Sequence, residues 1–140
     1  MIRVTRRYRF SASHRLHCDR FSEARNYELY GKCNNPFGHG HDYVLDVTLS
    51  GPVDAASGQA VRISALDRLV RHCIVDDFEQ RNLNEDVGEF SRAVPTSENI
   101  ISAIESRLKK GWRSEFPSEW PRLERIRLQE TRKNRFELRS

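Results

Sequence analysis

The chain has 140 residues, 37% hydrophobic and 31% charged, and its 24 lysines and arginines outweigh 20 acidic residues to give a net charge of +4. That length predicts one domain, residues 1–140, with a core of its own, and no apolar run approaches the ~20 residues a membrane span needs. No basic run interleaves with aromatics, so a nucleic-acid surface is not expected; the positive excess reads as solvated surface, or as arginines that meet an anionic small substrate such as a phosphate ester. Cys18, Cys33 and Cys73 are odd in number and share no repeating spacing, which argues against a disulfide framework. With no charged-then-apolar leader at the start, the expectation is a soluble, cytoplasmic protein.

Residues 2–14 alternate. Ile2, Val4, Tyr8, Phe10, Ala12 and His14 share one parity, and arginines, serines and a threonine occupy the other, the period of a half-buried strand. His14 falls on the apolar side, where a histidine is either a hydrogen-bonded core residue or a ligand. From Leu16 to Tyr30 the periodicity dissolves into a loop or short helix that holds His17 and Cys18. A second strand, beginning by His39, carries Tyr43, Leu45, Val47 and Leu49 on one parity until Gly51-Pro52 ends it. After a turn at Ser57-Gly58, Ala60 to Ile63 reads as a further strand closing a long-tipped hairpin.

A helix follows, with Leu66, Leu69, Val70, Cys73 and Ile74 on one stripe and Ser64 as its N-cap. His72 lies one step off that stripe. The acidic stretch Asp76–Glu89 is irregular, with a turn at Asn82-Leu83-Asn84. Pro95 to Asn99 opens a second helix with core face Ile100, Ile101, Ile104 and Leu108, closed by Lys109, Lys110 and Gly111. Two runs, 123–131 and 135–139, turn at Lys133-Asn134 and finish the chain. Glu130 continues the parity of Ile126 and Leu128, so it is either paired structurally or aimed at a ligand. The predicted architecture is α+β: a four-stranded antiparallel sheet with two helices on one face.

The stretch from Gly31 to Tyr43 holds the chemistry. His39 and His41 are two residues apart at the start of a strand, so their imidazoles share a face, and a metal is the simplest reason for two imidazoles side by side. A catalytic zinc site uses three protein ligands and keeps one position open; His14 is the best third by parity. Three neutral imidazoles would leave the ion its full charge for Lewis-acid work on an alcohol or carbonyl oxygen. Cys33, in a turn rich in glycine and asparagine, could be a fourth ligand, or a nucleophile or base whose thiolate a nearby cation favours. Spacing leaves that choice open.

Phe10 to Leu16, Gly31 to Tyr43, Thr96-Ser97-Glu98-Asn99 and Gln129-Glu130-Thr131 closely resemble the 6-pyruvoyl-tetrahydropterin synthases and their relatives, the 6-carboxytetrahydropterin synthases of the queuosine pathway. The resemblance implies the tunnelling fold, in which three subunits join their sheets into a barrel and two trimers stack as a hexamer. It implies that His14, His39 and His41 hold zinc, that Cys33 is the catalytic base, and that Glu130, with Thr96 and Ser97 nearby, binds the pterin. The implied substrate is 7,8-dihydroneopterin triphosphate, from which triphosphate is eliminated; the queuosine branch also loses a two-carbon aldehyde. The gap between Cys33 and His39, with Asn34-Asn35-Pro36 inside it, looks like the pyruvoyl type.

One departure stands out. An Asp-His pair of the family, whose histidine assists the cysteine, falls on Glu79-Gln80 in an ungapped alignment, just before Arg81-Asn82-Leu83. An amide does not exchange protons near neutral pH. The implied readings are therefore a zinc-dependent pterin lyase that is impaired or recruits His17 or His72, a lyase with an altered reaction, or a zinc-bearing pterin- or purine-binding protein that no longer turns over.

Overall fold

The computed structural model describes residues 1–140. Its sheet is built on β1 (Ile2–His14) and β2 (His39–Gly51), which pair antiparallel along their whole length from Ile2 opposite Gly51 to His14 opposite His39. The alternation in both strands puts their apolar residues on one face, and β2 is buried almost throughout from Tyr43 onward. β4 (Arg122–Gln129) joins β2, with a register shift at Thr48/Leu49, and β5 (Arg135–Arg139) finishes that side. On the far side the two-residue β3 (Arg81–Asn82) runs parallel to β1 at Ala12 and Ser13, giving the order β3-β1-β2-β4-β5. The four expected antiparallel strands are therefore present, and the irregular acidic segment supplies a short fifth.

Of the helices, α1 (Glu23–Tyr30) is capped by Ser22, whose side chain accepts from the Arg25 amide, and runs into a tight 3₁₀ turn at Gly31–Asn34. α2 (Ile63–Val70) widens through a π-helical turn (Arg71–Val75) into α3 (Asp76–Phe78), and α4 (Leu83–Asp86) follows β3. The long α5 (Ser97–Glu115) is capped by the Thr96 side chain. Leu66, Leu69 and Val70 of α2 and Ile100, Ile104 and Leu108 of α5 join Leu45, Val47, Leu49, Ile126 and Leu128 of the sheet in one core. This leaves the opposite sheet face polar.

Three expectations are corrected. Residues 60–63 form no strand: Asp54 closes a compact turn, its carboxylate accepting from the Ser57 amide at 2.8 Å and its carbonyl from the Gly58 amide at 2.8 Å. α2 then begins at Ile63, with Arg62 rather than Ser64 at the N-cap position. A mostly apolar run of four residues fits a helix start as well as a strand, and buried Val61 serves the core without a ladder. Nor does Gly111 end α5, which continues to Glu115. A Cβ at Gly111 would stand 2.9 Å from Cys73 Sγ and 3.1 Å from Leu69 Cδ1, so this glycine lets α5 approach the preceding helical segment closely.

Candidate metal centre

The full-length pairing of β1 and β2 brings the histidines together at one end of the sheet: His14 lies opposite His39, and His41 opposite Ala12. All three side chains share the covered face. Their ring centroids are 4.6–5.0 Å apart, and each offers a ligating nitrogen within 4.8 Å of the other two. His14 is fully buried. Its Nδ1 lies 2.8 Å from the Pro95 carbonyl oxygen; a carbonyl only accepts, so Nδ1 carries the proton and Nε2 is left with its lone pair. That Nε2, Nδ1 of His39 and Nε2 of His41 are buried and have no hydrogen-bond partner. Burial, and for His39 next the neighbouring His41, holds the pKa of His14 and His39 below the usual imidazole value, keeping them neutral as metal ligands must be. Three orphaned, inward-facing imidazole nitrogens fit a metal ion.

Cys33 and Glu130 stand beside this cluster. Cys33 sits in the 3₁₀ turn, and its carbonyl accepts from the Leu16 amide at 2.8 Å, tying the turn to the end of β1. Burial, and then the charge of Glu130, push the thiol above its ordinary pKa. Glu130 follows β4 directly; its Oε1 is 3.6 Å from His41 Nε2, and its other oxygen accepts from the Ser97 hydroxyl. Ser97 is buried, while Thr96 is occupied as the cap of α5, accepting from the Asn99 amide at 3.2 Å.

Glu79 and Gln80 are not joined to this cluster within one chain. Their hydrogen bonds run to the outer edge of β1: the Ser11 amide donates to Glu79 Oε2 at 3.2 Å, and the Gln80 amide donates to the Ser11 carbonyl at 2.6 Å. Gln80 has a left-handed backbone, φ 55°. It borders a shallow cleft of about 280 Å³ with Ser11, Ser13 and Asp42, whose parity turns them away from the histidines, and with His41, which reaches the same cleft. His17 is held by Asn34 and by Asp19, 3.2 Å from its Nε2, and His72 is exposed on the π-helical turn. Neither joins the cluster.

Several supporting residues were not singled out from the sequence. Asn84 grips Arg15 twice, its Oδ1 accepting from the Arg15 amide at 2.7 Å and its Nδ2 donating to the Arg15 carbonyl at 2.9 Å. Buried Asn26 does the same for Cys18, at 2.8 and 3.0 Å. Tyr43, on the strand face of the histidines, is fully buried with a hydroxyl that has no partner. Burial, then the charges of Glu130 and Cys33, raise its pKa strongly. The buried polar type and the parity of Tyr43 were visible; the pairings of the asparagines depend on loops.

These features define a class: a small α+β protein with a candidate metal centre at the end of an antiparallel sheet. The family model described as 6-pyruvoyl tetrahydropterin synthase matches residues 3–140, and the chain belongs to that family. A 6-pyruvoyl tetrahydrobiopterin synthase of Poecilia reticulata is 39% identical over 131 residues, 94% of this chain and 85% of the other. The human protein of the same name is 41% identical over 107 residues, 76% of this chain and 74% of its own. The solved structure of Caenorhabditis elegans 6-pyruvoyl tetrahydropterin synthase matches with a TM-score of 0.88 at 37% identity, covering 99% of this chain and 95% of that one. The fold is the tunnelling fold. No helix is long and apolar enough to cross a membrane.

Proposed function

We propose that the chain is a zinc-dependent lyase that acts on 7,8-dihydroneopterin triphosphate and eliminates triphosphate, with 6-pyruvoyl-tetrahydropterin as product. The observation that carries this reading is the set of three buried imidazole nitrogens without partners, with Glu130 3.6 Å from one of them and near enough to Cys33 to help raise its thiol pKa. His14, His39 and His41 would hold the zinc, which when bound supplies Lewis acidity towards a side-chain oxygen of the substrate. Cys33 moves a proton at the adjacent carbon. Glu130, fixed by Ser97, accepts a hydrogen bond from the bound pterin, and Thr96 and Ser97 set the start of α5 beside it. Tyr43 contributes a neutral hydroxyl to the same wall.

A second reading, a zinc-bearing pterin- or purine-binding protein with lost or altered catalysis, is favoured by Gln80. General acid–base help is worth ~10²–10⁴-fold in rate, and an amide cannot give it. A 6-carboxytetrahydropterin product is the remaining variant of the lyase reading. Assembly fits either. β1 from Ile2 to Phe10 lacks an outer partner, as does β5; unpaired strand edges invite another chain, and joining them copy to copy would close the sheets into a barrel with Glu79 and Gln80 at the seam. Incubation of the zinc-loaded protein with dihydroneopterin triphosphate tests the lyase reading: triphosphate release that chelation stops and zinc restores supports it, and a pterin that binds without release supports the second.

A further inference from the structure

Cys33 sits on a turn that core packing does not hold. None of the residues Gly31–Asn34 is buried, and Tyr30, at the N-cap position, offers the turn no side-chain hydrogen bond. The neighbouring segment from Arg15 to Cys18 is, by contrast, gripped at both ends. Asn84 takes the amide and the carbonyl of Arg15, and buried Asn26 takes the amide and the carbonyl of Cys18. Two side-chain amides thus make the exit from β1 a fixed rail.

The turn is fastened to that rail. The Leu16 amide donates to the Cys33 carbonyl at 2.8 Å, and Arg15 Nε donates to the Asn34 carbonyl at 3.1 Å. The Asn34 side chain completes the attachment, its Nδ2 lying 2.9 Å from the Leu16 carbonyl oxygen and 3.0 Å from His17 Nδ1. A carbonyl only accepts, so the atom facing it is the amide nitrogen, whose second proton is left for His17. Nδ1 of His17 is therefore the accepting nitrogen and Nε2 carries the ring proton, towards the Asp19 carboxylate at 3.2 Å. The His17 side chain is 22% exposed and that of Asp19 fully exposed, so the bond to Asn34 is the sheltered one.

We propose that His17 is a positioning residue for the thiol: through the Asn34 amide it fixes the turn that carries Cys33, one residue away. The assignment deepens the proposed function and rests on Cys33 being the group that moves the proton there. Without His17 a half-buried amide proton of Asn34 has no acceptor, which favours release of the turn. A reacting group displaced by about 1 Å can lose up to ~10²-fold in rate.

Alkylation of each cysteine of the zinc-loaded protein by iodoacetamide, followed by peptide mass spectrometry, reads the turn without requiring turnover. Cys33 should react at least about threefold faster in His17→Phe, which keeps a ring but no acceptor. It should return to near the parental rate in His17→Asn, whose side-chain oxygen is as many bonds from the backbone as Nδ1. Cys73, in the core packing of α2 and α5, should react alike in all three proteins. Equal Cys33 rates in the parent and His17→Phe, or a raised rate that His17→Asn leaves unchanged, overturn the proposal. A Cys73 rate that rises in step with Cys33 overturns it too, because the whole chain would then have loosened. With dihydroneopterin triphosphate, His17→Phe should lower kcat at least about tenfold with KM within about twofold of the parent. A raised KM at unchanged kcat counts against the proposal. A parent that releases no triphosphate contradicts the lyase reading instead, and the alkylation rates still decide what holds the turn.

Discussion

The imidazole of His14 is oriented by Pro95: Nδ1 donates to the Pro95 carbonyl across 2.8 Å, and the opposite nitrogen is thereby presented to His39 and His41. A residue just ahead of α5 thus fixes a ligand on β1, so the proline before the helix matters to the site as well as to the approach to the helix.

Metal binding follows first. The protein should take up one zinc per chain, measured by elemental analysis after loading and desalting. Removing any one of His14, His39 or His41 should weaken binding by more than the ~10–100-fold that accompanies loss of a ligand's hydrogen-bond partner. Because zinc would bind the folded state through these nitrogens, chelation should lower the melting temperature, and the three alanine variants should lose that response.

Gly111 gives a prediction about packing. Alanine is favoured over glycine in a helix by ~1 kcal/mol, yet its Cβ would meet Cys73 Sγ at 2.9 Å. The clash should win, with Gly111→Ala destabilising the chain by about 1–3 kcal/mol in urea unfolding. Adding Cys73→Ala removes the sulfur and should recover part of the loss; the remainder belongs to Leu69 Cδ1 at 3.1 Å.

Arg107 ties α5 to the segment that leads to Glu79 and Gln80. It donates to Glu89 at 2.5 and 2.8 Å, to Asp77 at 2.5 Å and to the Cys73 carbonyl at 3.0 Å, and lies over the Phe78 ring. Its hydrogen bond is the main reason the Glu89 carboxyl sits below its ordinary pKa, against the effect of burial. A carboxyl whose folded pKa is depressed stabilises the fold above its unfolded pKa, about 4.3, and that contribution is lost as pH falls through the folded value. Arg107→Met should therefore cost about 1–3 kcal/mol near neutral pH, and the gap from the parent should narrow below about pH 4. A gap independent of pH would remove the Glu89 pair from the account.

Gln80 occupies a left-handed backbone position, one in which histidine is found more often than most residues, so Gln80→His should fold normally. If the missing proton carrier limits turnover, the variant should gain rate, towards the ~10²–10⁴-fold of general acid–base catalysis. An unchanged high rate would show that another group already does this work.

Much of this was legible in the sequence because strand alternation and site chemistry coincide. The parity that buries Phe10 and Tyr43, which stack with centroids 5.1 Å apart, is the same parity that brings His14, His39 and His41 to one face. The misreadings came from short or ambiguous signals. The four residues Ala60–Ile63 became a helix approach, and Gly111 followed two lysines, as a helix stop would, but serves a close approach between helices. The positions of Glu79 and Gln80 depend on how irregular segments fold back on the sheet, and no periodicity encodes that. The raised thiol pKa of Cys33 comes first from burial and then from Glu130, nearly a hundred residues along the chain.

The central claim is that the histidines and Cys33 together run a lyase reaction on a pterin triphosphate. The most direct measurement is triphosphate release from 7,8-dihydroneopterin triphosphate by the zinc-loaded protein, beside Cys33→Ala loaded in the same way. The account predicts release by the parent that falls at least about a hundredfold in the variant, in keeping with the loss of a proton-transfer group. Release by the parent no faster than by Cys33→Ala would contradict it.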